Sequence, residues 1–298
     1  MNAIEVKNLV KSYSDKIAVN DLSFSVSQGE IVGLIGPNGA GKSTTIKTVL
    51  DFIKPDSGGI SVFGDSMNEA DKNRLGYLPE ERGLYQKKRA IDLITYLASL
   101  KGMKRSSAEK KANDLLNRTG MLESKKKKIE TMSKGMGQLI QVIITIIHDP
   151  ELIILDEPFS GLDPVNRDLL KKILLDLREQ NKAIILSTHQ MNDVEELCDR
   201  VLMINKGRAV LYGNLKEIKS KYLNHSVLVD VGEDPGDVPG VIKKISNNGT
   251  IELVLDKNTT SQQVLESLIN RGFTIHRFEV AAPSLNEIFL KIVGETDE

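Results

Sequence analysis

The chain has no tryptophan, and aromatic residues fill only 4% of its 298 positions. Its single cysteine, Cys198, excludes a disulfide closed within the chain and fits a reducing compartment. Four scattered histidines give no spacing for a zinc-type metal site. Charge of one sign is lacking too: 40 Lys and Arg stand against 41 Asp and Glu, so no nucleic-acid surface is expected. Long apolar runs are missing. The most apolar stretch, Leu139 to Ile147, is about nine residues with Gln141 inside it, and a membrane span needs about twenty. The N-terminus, Met-Asn-Ala-Ile-Glu-Val-Lys, lacks the unbroken apolar segment of a secretion signal. The expectation is a soluble, cytoplasmic chain, long enough for two domains.

What the chain does have is a glycine loop, Gly36-Pro37-Asn38-Gly39-Ala40-Gly41-Lys42-Ser43-Thr44. It follows Ile31 to Ile35, an apolar run that reads as a strand buried on both faces, and it leads into a segment, Thr45 to Leu50, able to continue as a helix. Strand, glycine loop and helix in that order form a phosphate-binding loop. Glycines 36, 39 and 41 let successive N–H groups point at one anion, and the helix N-terminus adds partial positive charge. Gly36, Asn38, Gly39, Gly41, Lys42, Ser43 and Thr44 are therefore assigned to a nucleoside triphosphate. Lys42 would reach its β- and γ-phosphates and the Ser43 hydroxyl would ligate Mg²⁺.

A second signal is Leu152-Ile153-Ile154-Leu155-Asp156-Glu157-Pro158, a buried strand that delivers two carboxylates at its C-terminal end, where open α/β sheets bind ligands. Asp156 suits Mg²⁺ held through water, and Glu157 suits the orientation and deprotonation of an attacking water. His189 closes Leu186-Ser187-Thr188-His189 at the end of the next predicted strand, near Glu157 if the two strands are parallel neighbours. Tyr13 is open to two readings, packing in a sheet or offering its ring to a base.

Leu22, Phe24 and Val26 alternate with Ser23, Ser25 and Ser27 as in a half-buried antiparallel strand, and residues 60–63 read as another short strand. Helical spacing takes over from about 88 to 148, in Ile91, Ile94, Leu97, Ala98 and again in Ala108, Ala112, Leu115, Leu116. Lys125 to Lys128 read as a solvated turn, with acidic lipid headgroups as the alternative. Short apolar runs then return at Leu152–Leu155, Ala183–Leu186 and Val201–Ile204. Between the first two, Asp163-Pro164 starts a helix that buries Leu169, Leu170, Ile173, Leu174 and Leu177. The fold class is α/β: a mostly parallel sheet covered on both faces, with 88–148 as a separate helical lobe. A break is expected at Tyr222-Leu223-Asn224-His225. Beyond it come alternating strands at 227–231 and 251–255, a hairpin turn at Asn247-Asn248-Gly249, a helix at Ser261–Asn270, a strand at 273–280 and a capping box at Ser284–Glu287. This is a small α+β domain, 226–298, with no catalytic constellation.

With these motifs in order, residues 1–222 closely resemble the ATP-binding subunit of ABC transporters, a P-loop NTPase cassette with an antiparallel β-subdomain. Ser160-Gly161-Leu162-Asp163 is similar to the family's D-loop, His189 to its switch histidine, and Tyr13 to its adenine-stacking aromatic. The resemblance implies ATP and Mg²⁺ as cofactors, catalytic roles for Glu157 and His189, and Mg²⁺ contacts from Ser43, Glu80 and Asp156. It implies a second cassette, identical or related, facing the first head-to-tail, so that each site takes a signature segment from the other copy. That signature is degraded here, Met132-Ser133-Lys134-Gly135-Met136-Gly137-Gln138, where the family usually reads Leu-Ser-Gly-Gly-Gln. Ser133 and Gly135 remain for the γ-phosphate; Lys134 either adds positive charge there or points to solvent. Glu80, in Gly76-Tyr77-Leu78-Pro79-Glu80, stands where most members carry glutamine, and residues 81–89 would face a membrane partner. The Glu80-Glu81-Arg82-Gly83-Leu84-Tyr85 run, Lys134 and the Pro283–Leu290 segment resemble the sodium-export and ABC-2 type branches. The implied function is ATP hydrolysis that powers export by a separate permease at the inner face of the cell membrane, with sodium as the cargo. A soluble ABC ATPase acting on ribosomes or DNA is the alternative.

Overall fold

The computed structural model describes residues 2–14, 16–81, 83–222, 226–247, 250–281 and 283–296. The chain divides into two compact units, Met1–Leu215 and Lys216–Glu298. The border expected between 222 and 226 thus lies a helix later than the observed one, and 223–225, where the break was placed, fall outside the described residues.

In the first unit β1 (Asn2–Tyr13) and β2 (Lys16–Ser27) form a hairpin, and β3 (Ile31–Ile35) leads through the glycine loop into α1 (Lys42–Val49). Next come β4 (Ser57–Val62), α2 (Glu69–Lys72), β5 (Leu75–Leu78) and the helical lobe of α3 (Ala90–Leu100), α4 (Arg105–Arg118) and α5 (Lys134–Ile146). The unit is completed by β6 (Leu152–Asp156), α6 (Pro164–Glu179), β7 (Ala183–Thr188), α7 (Met191–Leu197), β8 (Arg200–Asn205) and β9 (Arg208–Asn214).

The order β5-β6-β7-β3-β8-β9 makes a six-stranded sheet, parallel except for β9. β3, β6 and β7 are buried at every position, as their unbroken apolar sequences require of central strands in a covered parallel sheet. A smaller antiparallel sheet, β2-β1-β4, buries Leu22, Phe24 and Val26, with Ser23 exposed and Ser25 and Ser27 half-buried between them. Apolar residues of both sheets, among them Ile4, Leu22, Val32, Ile154 and Leu202, belong to one core cluster.

The helical lobe has its own core around Leu93, Ile94, Ala98, Ala112, Leu116, Ile140 and Ile143. Ile91, Leu97 and Leu115 flank its buried stripe and are only half-buried. In α6 the carboxylate of Asp163 accepts the N–H of Asn166 at 3.0 Å, and Pro164 follows as the first helical residue. Leu170, Ile173, Leu174 and Leu177 are buried at helical spacing. Leu169 departs from expectation: it sits beside that stripe, half-buried.

The second unit contains α8 (from Lys216 on; Leu215–Lys221 in full), β10 (Ser226–Asp230), β11 (Val241–Asn247), β12 (Thr250–Leu255), α9 (Ser261–Asn270), β13 (Arg277–Val280) and α10 (Leu285–Thr296). Its antiparallel sheet, β11-β12-β10-β13, packs Val227, Val229, Leu253 and Leu255 with Val264 and Leu268 of α9. The last strand is shorter than the expected 273–280. The N–H of Phe273 turns back to Leu268 O at 3.2 Å and Gly272 takes φ +83°, so the chain reaches the sheet only at His276, whose N–H donates to Asp230 O at 2.8 Å. Ser284 and Glu287 form the expected capping box: the Ser284 N–H donates to Glu287 Oε2 at 2.7 Å, and the Glu287 N–H to Ser284 Oγ at 3.2 Å. Asn247 pairs with Thr250, while Asn248 and Gly249 of the expected hairpin turn fall outside the described residues.

Candidate active site

Helix α1 starts at the end of the glycine loop. Its first bond is from the Thr45 N–H to Gly41 O, 2.9 Å. The N–H groups of Lys42, Ser43 and Thr44 therefore have no partner inside the helix and are available to an anion. Two glycines fix the loop against its surroundings. A Cβ on Gly36 would lie 2.1 Å from Ile204 O, and one on Gly41, at φ +114°, 2.4 Å from Ala18 O. The Lys42 side chain is buried and lies over the loop, with Nζ donating to Gly36 O at 2.7 Å and Pro37 O at 3.2 Å.

Parallel pairing of β6 with β7 sets Asp156 against Ser187 and brings both strand ends to the same edge. Glu157 leaves β6 at φ +49°, a left-handed conformation that costs a non-glycine residue about 1 kcal/mol or more. Its N–H donates to Ser187 O at 3.0 Å. One carboxylate oxygen, Oε1, accepts the His189 N–H at 3.0 Å and lies 2.8 Å from His189 Nδ1. The sequence suggested proximity of these two residues; the strand register delivers direct contact.

These groups line one cleft of about 520 Å³: Tyr13, Lys16 and Ala18 from the β1–β2 hairpin, Asn38, Gly39 and Gly41 to Thr44 from the loop, Glu80, Asp156, Glu157 and His189. Burial pushes the Asp156 carboxyl above the ordinary range; the Ser187 hydroxyl opposes this, the charges of Glu80 and Glu157 add to it, and Lys42 counters. The Tyr77 hydroxyl is pushed up to about 12 by burial and by Asp156 and Glu80. Three carboxylates thus share the cleft with two lysines, Lys16 and Lys42, and with His189. The carboxylate oxygens are hard ligands that fit Mg²⁺, which binds through one or two carboxylates, water and phosphate. Ser43, Asp156 and Glu80 are the residues that would hold it.

One consequence concerns stability without nucleotide. With its carboxyl raised, folded Asp156 holds its proton more tightly than the unfolded chain does. Its contribution to stability therefore falls as pH rises from the ordinary value of 3.8 through the raised one. Above that window the full penalty applies. Asp156→Asn is expected to melt at a higher temperature than the parent at neutral pH in nucleotide-free buffer, with the gap closing in acid. Calorimetry showing an equal or lower melting temperature would contradict this electrostatic account.

Ser133, Gly135 and Asp163 lie outside the chain's own cleft; the resemblance assigns the first two to the site of a facing copy. Ser133 is exposed and caps α5, accepting the Met136 N–H at 3.2 Å. Gly135 packs beside Gly161 and Leu162, and Asp163 caps α6. Lys134 is exposed in the single chain. Gly36 sits beneath the loop, its carbonyl holding Lys42. Lys16 and Ala18 were not anticipated. Lys16 pairs with Tyr13 across the hairpin, and only recognition of β1 as a strand could have located it.

The ABC transporter family matches residues 19–160, and an ATP-binding protein DrrA1-3-like, C-terminal domain matches residues 213–293. The uncharacterized ABC transporter ATP-binding protein YhaQ of Bacillus subtilis (strain 168) is 38% identical to this chain, covering 99% of it and 100% of the relative. The Nod factor export ATP-binding protein I of Sinorhizobium fredii (strain NBRC 101917 / NGR234) is 33% identical, covering 98% of this chain and 86% of that protein. Among solved structures, the ATP binding subunit of an ABC transporter superposes with a TM-score of 0.69 at 31% identity, over 74% of this chain and 93% of that one. The chain belongs to the ABC transporter ATP-binding proteins, the family whose cassettes hydrolyse ATP to drive transport.

Proposed function

We propose that the chain powers export: two cassettes, each with its own phosphate loop, hydrolyse ATP and drive a separate permease from the cytoplasmic face of the membrane. The observation that carries export is the likeness to the Nod factor export protein, which runs through nearly the whole chain rather than the cassette alone. The position of Ser133 and Gly135, outside the chain's own cleft, supports the pairing of cassettes, because a facing copy would present them to the γ-phosphate.

In this mechanism Tyr13 stacks on the adenine and the loop N–H groups hold the phosphates. Lys42 turns from Gly36 O and Pro37 O to the β- and γ-phosphates. Bound Mg²⁺ would neutralise phosphate charge as it develops. Glu157 takes the proton of the attacking water, and His189 fixes the carboxylate from behind through its N–H and ring. Asp163 and the signature segment face the partner cassette. Sodium is the cargo that the Glu80–Tyr85 run and Lys134 support.

A ribosome- or DNA-directed ATPase gains nothing from relatives that are transporter proteins along their length. Among the described residues no helix is long and apolar enough to cross a membrane, so the permease would be another chain. Affinity capture of the tagged protein from detergent-solubilised host membranes, read by mass spectrometry, is expected to recover a multi-span chain. Recovery of ribosomal or DNA-bound proteins without one would overturn the permease reading.

A further inference from the structure

Two basic runs, far apart in sequence, are knitted into one surface at the edge of the helical lobe. Ala90 N–H donates to Lys127 O at 3.1 Å, Ile91 N–H to Lys125 O at 2.9 Å, and Ile129 N–H to Lys88 O at 3.0 Å. Arg89 and Lys128 form an antiparallel bridge. Lys87, Lys88 and Arg89 are thereby fixed beside the run Lys125 to Lys128, and all of them are exposed except Lys125, which is half-buried. Lys125 Nζ donates to Asn113 Oδ1 at 2.9 Å, and Lys128 lies 3.5 Å from Glu130. Among the described residues the other five cations have no carboxylate within ion-pair distance. In a chain of net charge −1 this is a strong local excess. Next to it Tyr85 and Tyr96, 59% and 53% exposed, border a cleft of about 400 Å³ with Lys88, Asp92 and Leu93.

We propose that this patch docks on the phosphate headgroups of an anionic lipid bilayer and holds the helical lobe against the membrane surface. Its composition favours lipid over an acidic peptide. Six of the seven cations are lysines, hydrated point charges on flexible stems that suit many mobile phosphates, whereas carboxylates are recognised by the arginine fork, present here only in Arg89. Exposed tyrosines beside the lysines suit the headgroup level, where such rings are both apolar and polar. The backbone bonds between the two runs hold the cations together before contact, so little ordering entropy is spent on binding. The patch does not line the nucleotide cleft, but Lys87 to Arg89 belong to the 81–89 segment expected to face a membrane partner, so the proposal rests on the reading that this face is turned toward the membrane.

The test is co-sedimentation of the full chain, without permease, with vesicles of phosphatidylcholine or of an equal mixture of phosphatidylcholine and phosphatidylglycerol. The chain is expected to bind the anionic vesicles alone and to be released by high salt, since exposed charges are screened. The variant Lys87→Gln, Lys88→Gln, Lys126→Gln, Lys127→Gln is expected to lose about fivefold in partition for each charge removed, about six-hundredfold in all. A control of the same net charge, Lys47→Gln, Lys54→Gln, Lys172→Gln, Lys243→Gln, replaces exposed lysines elsewhere and is expected to bind as the parent does. Both variants should retain basal ATP hydrolysis, which reports their folding. Equal binding to both kinds of vesicle, no binding, or equal loss in the two variants would overturn the proposal. So would retention of the chain by an acidic permease peptide with vesicles left unbound, which would give the patch to a protein.

Discussion

Glu157→Gln is expected to leave ATP binding intact and to slow hydrolysis by about 10²–10⁴-fold, the range for loss of a general base. The expectation rests on what the substitution leaves alone. Glutamine keeps the side-chain length and one carbonyl oxygen, so the hydrogen bond from the His189 N–H, now 3.0 Å, can persist. The left-handed backbone at residue 157 and its N–H bond to Ser187 O do not depend on the side chain. What disappears is the ability to take a proton. One negative charge also leaves a cleft in which Glu80, Asp156 and Glu157 face Lys16 and Lys42, so ATP affinity should hold or rise. Without hydrolysis the pair of cassettes should remain closed on ATP, visible as a nucleotide-dependent dimer in gel filtration. Single-turnover kinetics at the parent rate would remove Glu157 from the role of base.

Much of this geometry was legible in the sequence, for identifiable reasons. The central strands declared themselves because a strand covered on both faces has an unbroken apolar sequence: Ile31 to Ile35 and Leu152 to Leu155 are buried at every position. The parallel order of β3, β6 and β7 then had to gather the glycine loop, Asp156, Glu157 and His189 at one edge. β1 was harder to see. It buries Ile4 and Val6 but then Leu9, because its pairing shifts between Val6 and Leu9 where Asn8 takes φ +49°, and the period of two is lost. With β1 unread, Lys16 had no place opposite Tyr13. The strand expected at 273–280 was too long because periodicity says nothing of the bond from Phe273 N–H to Leu268 O. Nor could a linear sequence say that Lys87 to Arg89 lie against Lys125 to Lys128. That contact is made by backbone groups, which carry no residue-type signature.

Lys42→Ala is expected to weaken ATP binding itself by about 100-fold, close to 3 kcal/mol, the worth of one strong charge-assisted contact in a buried site. The lysine is already in position. Its side chain is 8% exposed and its Nζ rests on Gly36 O and Pro37 O, which hold it over the loop. Alanine removes the only cation that the loop contributes to the cleft and leaves the two carbonyls facing the phosphates. Unchanged affinity by calorimetric titration would count against the phosphate loop. The same variant tests the pairing of cassettes when mixed with Ser133→Asp. Aspartate retains the capping role at the start of α5 but sets a carboxylate where the partner's γ-phosphate would lie. Each variant alone spoils both sites of a head-to-tail dimer. A mixed dimer gathers both defects into one site and leaves the other with an intact loop and an intact serine. Hydrolysis should therefore return on mixing two inactive preparations. A mixture as silent as its components would mean that Ser133 does not reach across to a second chain.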